Sequence, residues 1–138
     1  MAASPRHIVP QLLLFSVLFF TTTQAVKRAH VYIINDVHPC LNLTVHCKSK
    51  HSDLGSQVLA PGNKFEFSFK PNIFGTTLFF CGMSWQYSTL HWFDIYSGHR
   101  DRKHCSLCFW KIRKDGPCRL DYETGRFDIC YPWKEPKN

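Results

Sequence analysis

The chain has 138 residues, a formal charge of +7 at neutral pH, and a core-forming stock that includes 12 Phe, 5 Tyr and 4 Trp. This length suits one domain and excludes two ordinary ones. The basic balance favours anionic surroundings such as acidic polysaccharide, phospholipid head groups or acidic protein faces, without choosing among them.

At the amino terminus Arg6 and His7 precede an apolar run from Leu12 to Phe20 and the small, polar stretch Thr21-Thr22-Thr23-Gln24-Ala25. That order predicts a secretory signal peptide over residues 1–25, cut between Ala25 and Val26. A membrane-crossing helix needs about 20 apolar residues, so no transmembrane segment is expected. Residues 26–138 are then the domain, 113 residues with a charge of +6. All seven cysteines fall in it: Cys40, Cys47, Cys81, Cys105, Cys108, Cys118 and Cys130. In a short secreted chain they read as a framework of two or three disulfides with at least one thiol left over, and their spacing leaves the pairing open.

The strand pattern then recurs along the chain. Val31-Tyr32-Ile33-Ile34 is β-branched and aromatic, and Leu41, Leu43 and Val45 alternate with Asn42, Thr44 and His46. Phe65, Phe67 and Phe69 alternate with Glu66, Ser68 and Lys70, which turns three rings to one face. Further strands are predicted over residues 77–85, 92–96, 107–113 and 127–131. Pro61-Gly62-Asn63, Pro71-Asn72 and Asp115-Gly116-Pro117 supply turn chemistry. Helical periodicity beyond two turns is lacking, which excludes βαβ architectures. The expectation is an all-β, single-domain antiparallel β-sandwich, stabilised by disulfides and with aromatics as its dominant core material.

Asn42-Leu43-Thr44 is an N-glycosylation sequence, and alternation places Asn42 and Thr44 on the polar face of their strand. Cys105-Ser106-Leu107-Cys108 has the spacing of half a zinc site or a redox motif, but Phe109, Trp110 and Ile112 continue a strand rather than open a helix. Each of those two cysteines is therefore expected to bridge a distant partner. His46, Cys47 and His51 offer no recognised spacing for a second zinc pair, so neither metal nor cofactor is expected. The histidines sit in no catalytic frame, and the chain is not expected to be an enzyme. Between two predicted strands lies the most polar stretch of the chain, with His99, Arg100, Asp101, Arg102, Lys103 and His104; it is predicted to be an exposed loop and a recognition candidate.

The ordered motifs Val45-His46-Cys47-Lys48-Ser49-Lys50, Asp53-Leu54-Gly55, Thr77-Leu78-Phe79-Phe80-Cys81, Trp92-Phe93-Asp94-Ile95-Tyr96, Cys108-Phe109-Trp110-Lys111-Ile112, Asp115-Gly116-Pro117-Cys118 and Cys130-Tyr131-Pro132-Trp133 resemble the plant self-incompatibility S-protein homologue family. The resemblance implies a secreted, cysteine-bridged β-sandwich that acts as an extracellular ligand for a cell-surface membrane receptor. Cys47, Cys81, Cys108 and Cys118 match the cysteines most associated with the family, and Cys105 and Cys130 look like an additional pair. Cys40 departs from the pattern, as a free thiol or an intermolecular link. The stretch His51-Ser52-Asp53 is less acidic than is usual there, so no acidic contact is carried over. Because fold does not fix function, a cationic defence protein acting on microbial membranes stays as the alternative. A nucleic-acid partner is not expected.

Overall fold

The computed structural model describes residues 26–135, and within them the alternating segments become nine strands. In chain order these are β1 (Ala29–Asn35), β2 (Leu43–Lys48), β3 (Asp53–Leu59), β4 (Lys64–Phe69), β5 (Leu78–Ser84), β6 (His91–Ser97), β7 (Leu107–Arg113), β8 (Gly116–Asp121) and β9 (Arg126–Cys130). One four-residue helix, α1 (Gly98–Asp101), links β6 to β7. The predicted signal peptide and its cut after Ala25 lie outside the described residues.

Two sheets pack face to face. One has the order β4-β1-β7-β8-β9 and the other β3-β2-β5-β6. Strict alternation explains the packing: Ala29, Val31, Ile33 and Asn35 of β1 are buried, as are Leu43, Val45 and Cys47 of β2, while their neighbours are half-buried. Each strand thus gives one face to the core. The fold is the expected disulfide-bonded sandwich, with one departure among the described strands. β1 pairs with β7 in parallel, Val31 beside Cys108 and Ile33 beside Trp110, while the other pairings are antiparallel. Parallel neighbours need a long connection, and here everything from β2 to α1 lies between the two strands.

The core is more aliphatic than the ring count predicted. Val31, Ile33, Leu43, Val45, Ile95 and Ile112 are fully buried beside Trp110 and Tyr96. Phe65, Phe67 and Phe69 do share a face, but β4 is an edge strand: Phe67 and Phe69 pack half-buried against Phe79 and Tyr96 at centroid distances of 4.5–5.1 Å, and Phe65 lies against Phe67 at 5.9 Å. Buried Asn35 closes the β1 turn: its amide nitrogen donates to the Leu41 and Leu59 carbonyls at 2.7 and 2.9 Å, and its oxygen accepts from Val37 N–H. Every polar atom of that side chain is thereby satisfied.

Three bridges form: Cys47–Cys81, Cys105–Cys108 and Cys118–Cys130. Two of them join residues directly opposite in a ladder, Cys47 to Cys81 between β2 and β5, and Cys118 to Cys130 between β8 and β9. The third corrects two expectations. Cys105 and Cys108 bridge each other rather than distant partners, and the Cys105–Cys130 pair implied by the family resemblance does not form. The turn after α1 folds Cys105 back to within 5.3 Å, Cα to Cα, of Cys108 at the start of β7, while β9 carries Cys130 onto Cys118. Cys40 is unpaired and exposed.

Candidate functional site

The stretch predicted to be an exposed loop is anchored by its own charges. Asp101 is completely buried. Its carboxylate accepts the Ser97 N–H at 2.9 Å, Arg100 Nε and Nη2 at 2.8 and 2.7 Å, and a further bond from buried Arg119 on β8. Arg100 also donates to the Asp94 carbonyl at 2.7 Å, and its guanidinium sits about 5 Å from the ring centroids of Phe93, Trp110 and Tyr131. Arg100 and Asp101 are therefore structural, and the expectation that the whole stretch faces solvent is corrected for them. Burial, and next the charge of Asp101, push the Tyr96 phenol above its ordinary value.

His99, Arg102, Lys103 and His104 do face solvent, on a rigid base. The backbone N–H groups of His104 and Cys105 both bond the Asp101 carbonyl at 2.9 Å, and the Cys105–Cys108 bridge closes the turn beyond them. Gly98 sits so close to Gly75 that a Cβ there would run into the Gly75 carbonyl, and its N–H donates to the Thr77 carbonyl at 2.9 Å. Arg102 Nη1 reaches the Ile73 carbonyl at 3.0 Å. The α1 turn and the loop between β4 and β5 thus form one surface.

Lys50 and His51, in the turn joining β2 to β3, belong to the same end of the sandwich. They border a hollow of about 560 Å³ together with Asn72, Thr76 and Thr77. That turn is held by Ser49 N–H to the Ser52 carbonyl at 2.8 Å, and by Asp53, which accepts from His46 Nε2 and from the Gly55 N–H. The His46 hydrogen bond, then the Gly55 one, hold the Asp53 carboxyl below the usual carboxylate range. No group of three or more His, Cys, Asp or Glu side chains placed to hold a metal occurs among the described residues.

At the opposite end of β2, exposed Asn42 lies just before the strand, and Thr44 is half-buried within it. Cys40 borders the same hollow as Asn42, Trp85 and Gln86.

One surface went unmarked in the sequence. A groove of about 870 Å³ crosses the outer face of β5 and β6, floored by Leu78, Phe80 and Trp92. Trp92 lies opposite Gly82, where a Cβ would meet the indole at 3.2 Å, so the missing side chain lets the ring lie on the sheet. Period-two reading of Leu78, Phe80, Gly82 and Trp92 was the available signal.

The family model for plant self-incompatibility protein S1 matches residues 30–133, from β1 to the segment beyond β9. S-protein homolog 2 of Arabidopsis thaliana is 48% identical over an alignment of 114 residues that covers 79% of this chain and 70% of that protein. S-protein homolog 20 of the same plant is 41% identical over an alignment of 135 residues that covers 96% of each chain. Among solved structures, one of SPH (Self-Incompatibility Protein Homologue) proteins, described as small, highly stable and secreted from plants, aligns with a TM-score of 0.52 at 21% identity, covering 80% of this chain and 97% of that one. At that identity the likeness speaks for the fold. A family match spanning both sheets and two relatives above 40% identity make the chain a member of the plant self-incompatibility protein S1 family.

Proposed function

We propose that this protein is a secreted extracellular ligand, recognised by a membrane receptor at a cell surface through the exposed side chains of its basic end. The observation that carries the reading is the arrangement of His99, Arg102, Lys103 and His104 on a base fixed by a buried ion cluster and a disulfide. A preformed loop loses little conformational entropy on binding, which suits it to recognition. Family membership and the apolar amino-terminal run support secretion, and three disulfides suit an oxidising compartment. Asn42 is exposed and open to glycosylation, and Cys40 is open to an intermolecular disulfide.

The test is saturable binding of the purified, disulfide-bonded protein to intact plant cells. Replacing His99, Arg102, Lys103 and His104 together by Ser or Gln should abolish the saturable component without moving the thermal midpoint by more than a few degrees. Undiminished binding by that variant, or no saturable binding on tissue after tissue, would sink the proposal. Salt-sensitive lysis of microbial cells without any saturable component would favour the cationic defence reading instead.

A further inference from the structure

The loop between β4 and β5 presents Ile73 and Phe74 to solvent, 65% and 78% exposed, side by side. Single exposed apolar residues are ordinary, but an adjacent pair held outward by a built framework asks for a partner. The framework is dense. Asn72 N–H donates to Thr77 Oγ1 at 2.8 Å, Asn72 Nδ2 to Thr76 Oγ1 at 2.8 Å, and Thr76 N–H to Asn72 Oδ1 at 3.0 Å. Arg102 holds the Ile73 carbonyl, and Gly75 takes a φ of +71° that L side chains rarely adopt. The tip therefore has no easy route to fold its two side chains inward.

The charged groups lining the two hollows beside it are of one sign. A hollow of about 210 Å³ on one side has Lys27 and Arg102 as its charged lining, and the 560 Å³ hollow on the other has Lys50 beside His51. Among the described residues no carboxylate borders either hollow. An apolar tip with cations on both sides fits a plane that is negative at its surface and apolar beneath. A protein partner would need a matching concave pocket ringed by acids, whereas a bilayer deforms around a convex tip and needs none.

We propose that residues 71–77 form a membrane-docking tip: Ile73 and Phe74 enter the interfacial region of an anionic phospholipid bilayer while Lys27, Lys50 and Arg102 lie against the head groups. Two side chains reach only the head-group and acyl boundary, so the docking is peripheral and leaves the bilayer sealed. It goes beyond receptor recognition, because it needs lipid alone.

The experiment is co-sedimentation of the purified, disulfide-bonded protein with vesicles of phosphatidylcholine, and with vesicles in which part of that lipid is replaced by phosphatidylserine. The protein should pellet with the anionic vesicles, stay in solution with the neutral ones, and release no trapped dye. The pair Ile73→Ser and Phe74→Ser should weaken partition by roughly tenfold or more, the loss expected when apolar area is no longer buried. Lys50→Gln, which leaves the loop's hydrogen bonds intact, should weaken it by about fivefold. Phe74→Trp covers the case in which the serine pair fails to fold: its emission should shift to the blue with anionic vesicles. Undiminished pelleting of the folded serine pair, unshifted emission of Phe74→Trp, dye release, or failure of the unmodified protein to pellet would each overturn the proposal. These vesicles hold no protein, so either outcome leaves the receptor reading to its own test.

Discussion

Burying a carboxylate costs several kcal/mol unless its partners are in place. Asp101 meets that condition with two arginines and a backbone N–H, and the cluster ties α1 to β8 through Arg119, whose side chain is only 6% exposed. Asp101→Asn should lower unfolding stability by about 3–5 kcal/mol, because it strands Arg119 without a counter-charge. Lys103→Gln on the same turn should change it by less than about 0.5 kcal/mol. Denaturant melts of the two variants check both, and equal effects would show that the cluster is not what holds the turn. Asp36 is a milder case. Burial opposes its ionisation, yet the hydrogen bond from Arg113 Nε at 2.8 Å and the charges of Arg113, Lys111 and His38 outweigh it and hold the carboxyl below the usual range. A folded value below the unfolded one, about 3.9, means that the contribution is full above that pH and drains away as pH falls through the lowered folded value. Arg113 is 40% exposed, so solvent screening limits the pair to about 1 kcal/mol at most. The stability gap between the unmodified protein and Asp36→Asn should therefore be present at neutral pH and close in acid. A gap constant with pH would place its origin elsewhere.

Among the elements, the bridges close chain segments of different length: Cys47–Cys81 spans 34 residues, Cys118–Cys130 spans 12 and Cys105–Cys108 spans 3. Loop-closure entropy then assigns them about 4, 3 and 1.5 kcal/mol. Replacing each pair by Ser should lower the thermal midpoint in that order, read by calorimetry on unreduced protein. A largest loss at Cys105–Cys108 would show that pinning the α1 turn outweighs chain entropy. Which strands were legible in the sequence follows from the same element-level physics. Val31 to Ile34 and Phe65 to Phe69 announce themselves because one face is apolar and the period is two. β3 did not, since it is an edge strand whose exposed Asp53, Ser56 and Val58 leave no clean alternation. β8 was hidden by Pro117, which argues against an interior strand. There the Pro117 partner Ile112 turns its carbonyl away to the Asp36 N–H, so the missing proline N–H removes no bond from the β7 ladder. Periodicity shows which residues face inward but not which strand lies alongside, and so the parallel β1 and β7 pair had no sequence signal. The recognition candidates divide for a related reason. Polar composition predicted exposure for all six residues, and only the arrival of Arg119 from β8 shows why Arg100 and Asp101 turn in while His99, Arg102, Lys103 and His104 stay out.

Over the whole molecule, the ladder registers set two ends apart. Thr44 pairs with Ser84 near Cys40, Asn42 and Trp85, whereas Lys48 pairs with Phe80 near Lys50, His51 and the loop of residues 71–77. A glycan on Asn42 would project from the first end, and the proposed recognition surface lies at the second, so the two should not interfere. Asn42→Gln should leave cell-surface binding unchanged. A glycan added at the basic end should weaken it: Lys50→Asn converts Lys50-His51-Ser52 into an acceptor sequence there. The glycosylated form of that variant should lose saturable binding. The same substitution combined with Ser52→Ala carries the charge change without the sugar, and should retain most of the binding because one exposed cation is worth little alone. Binding affinities of the three variants, with the presence or absence of glycan in each checked by a glycosidase mobility shift, decide the matter. If the added glycan is harmless while Asn42→Gln is not, the recognition surface lies at the Cys40 end, and the basic turn is a solvated edge of the sandwich.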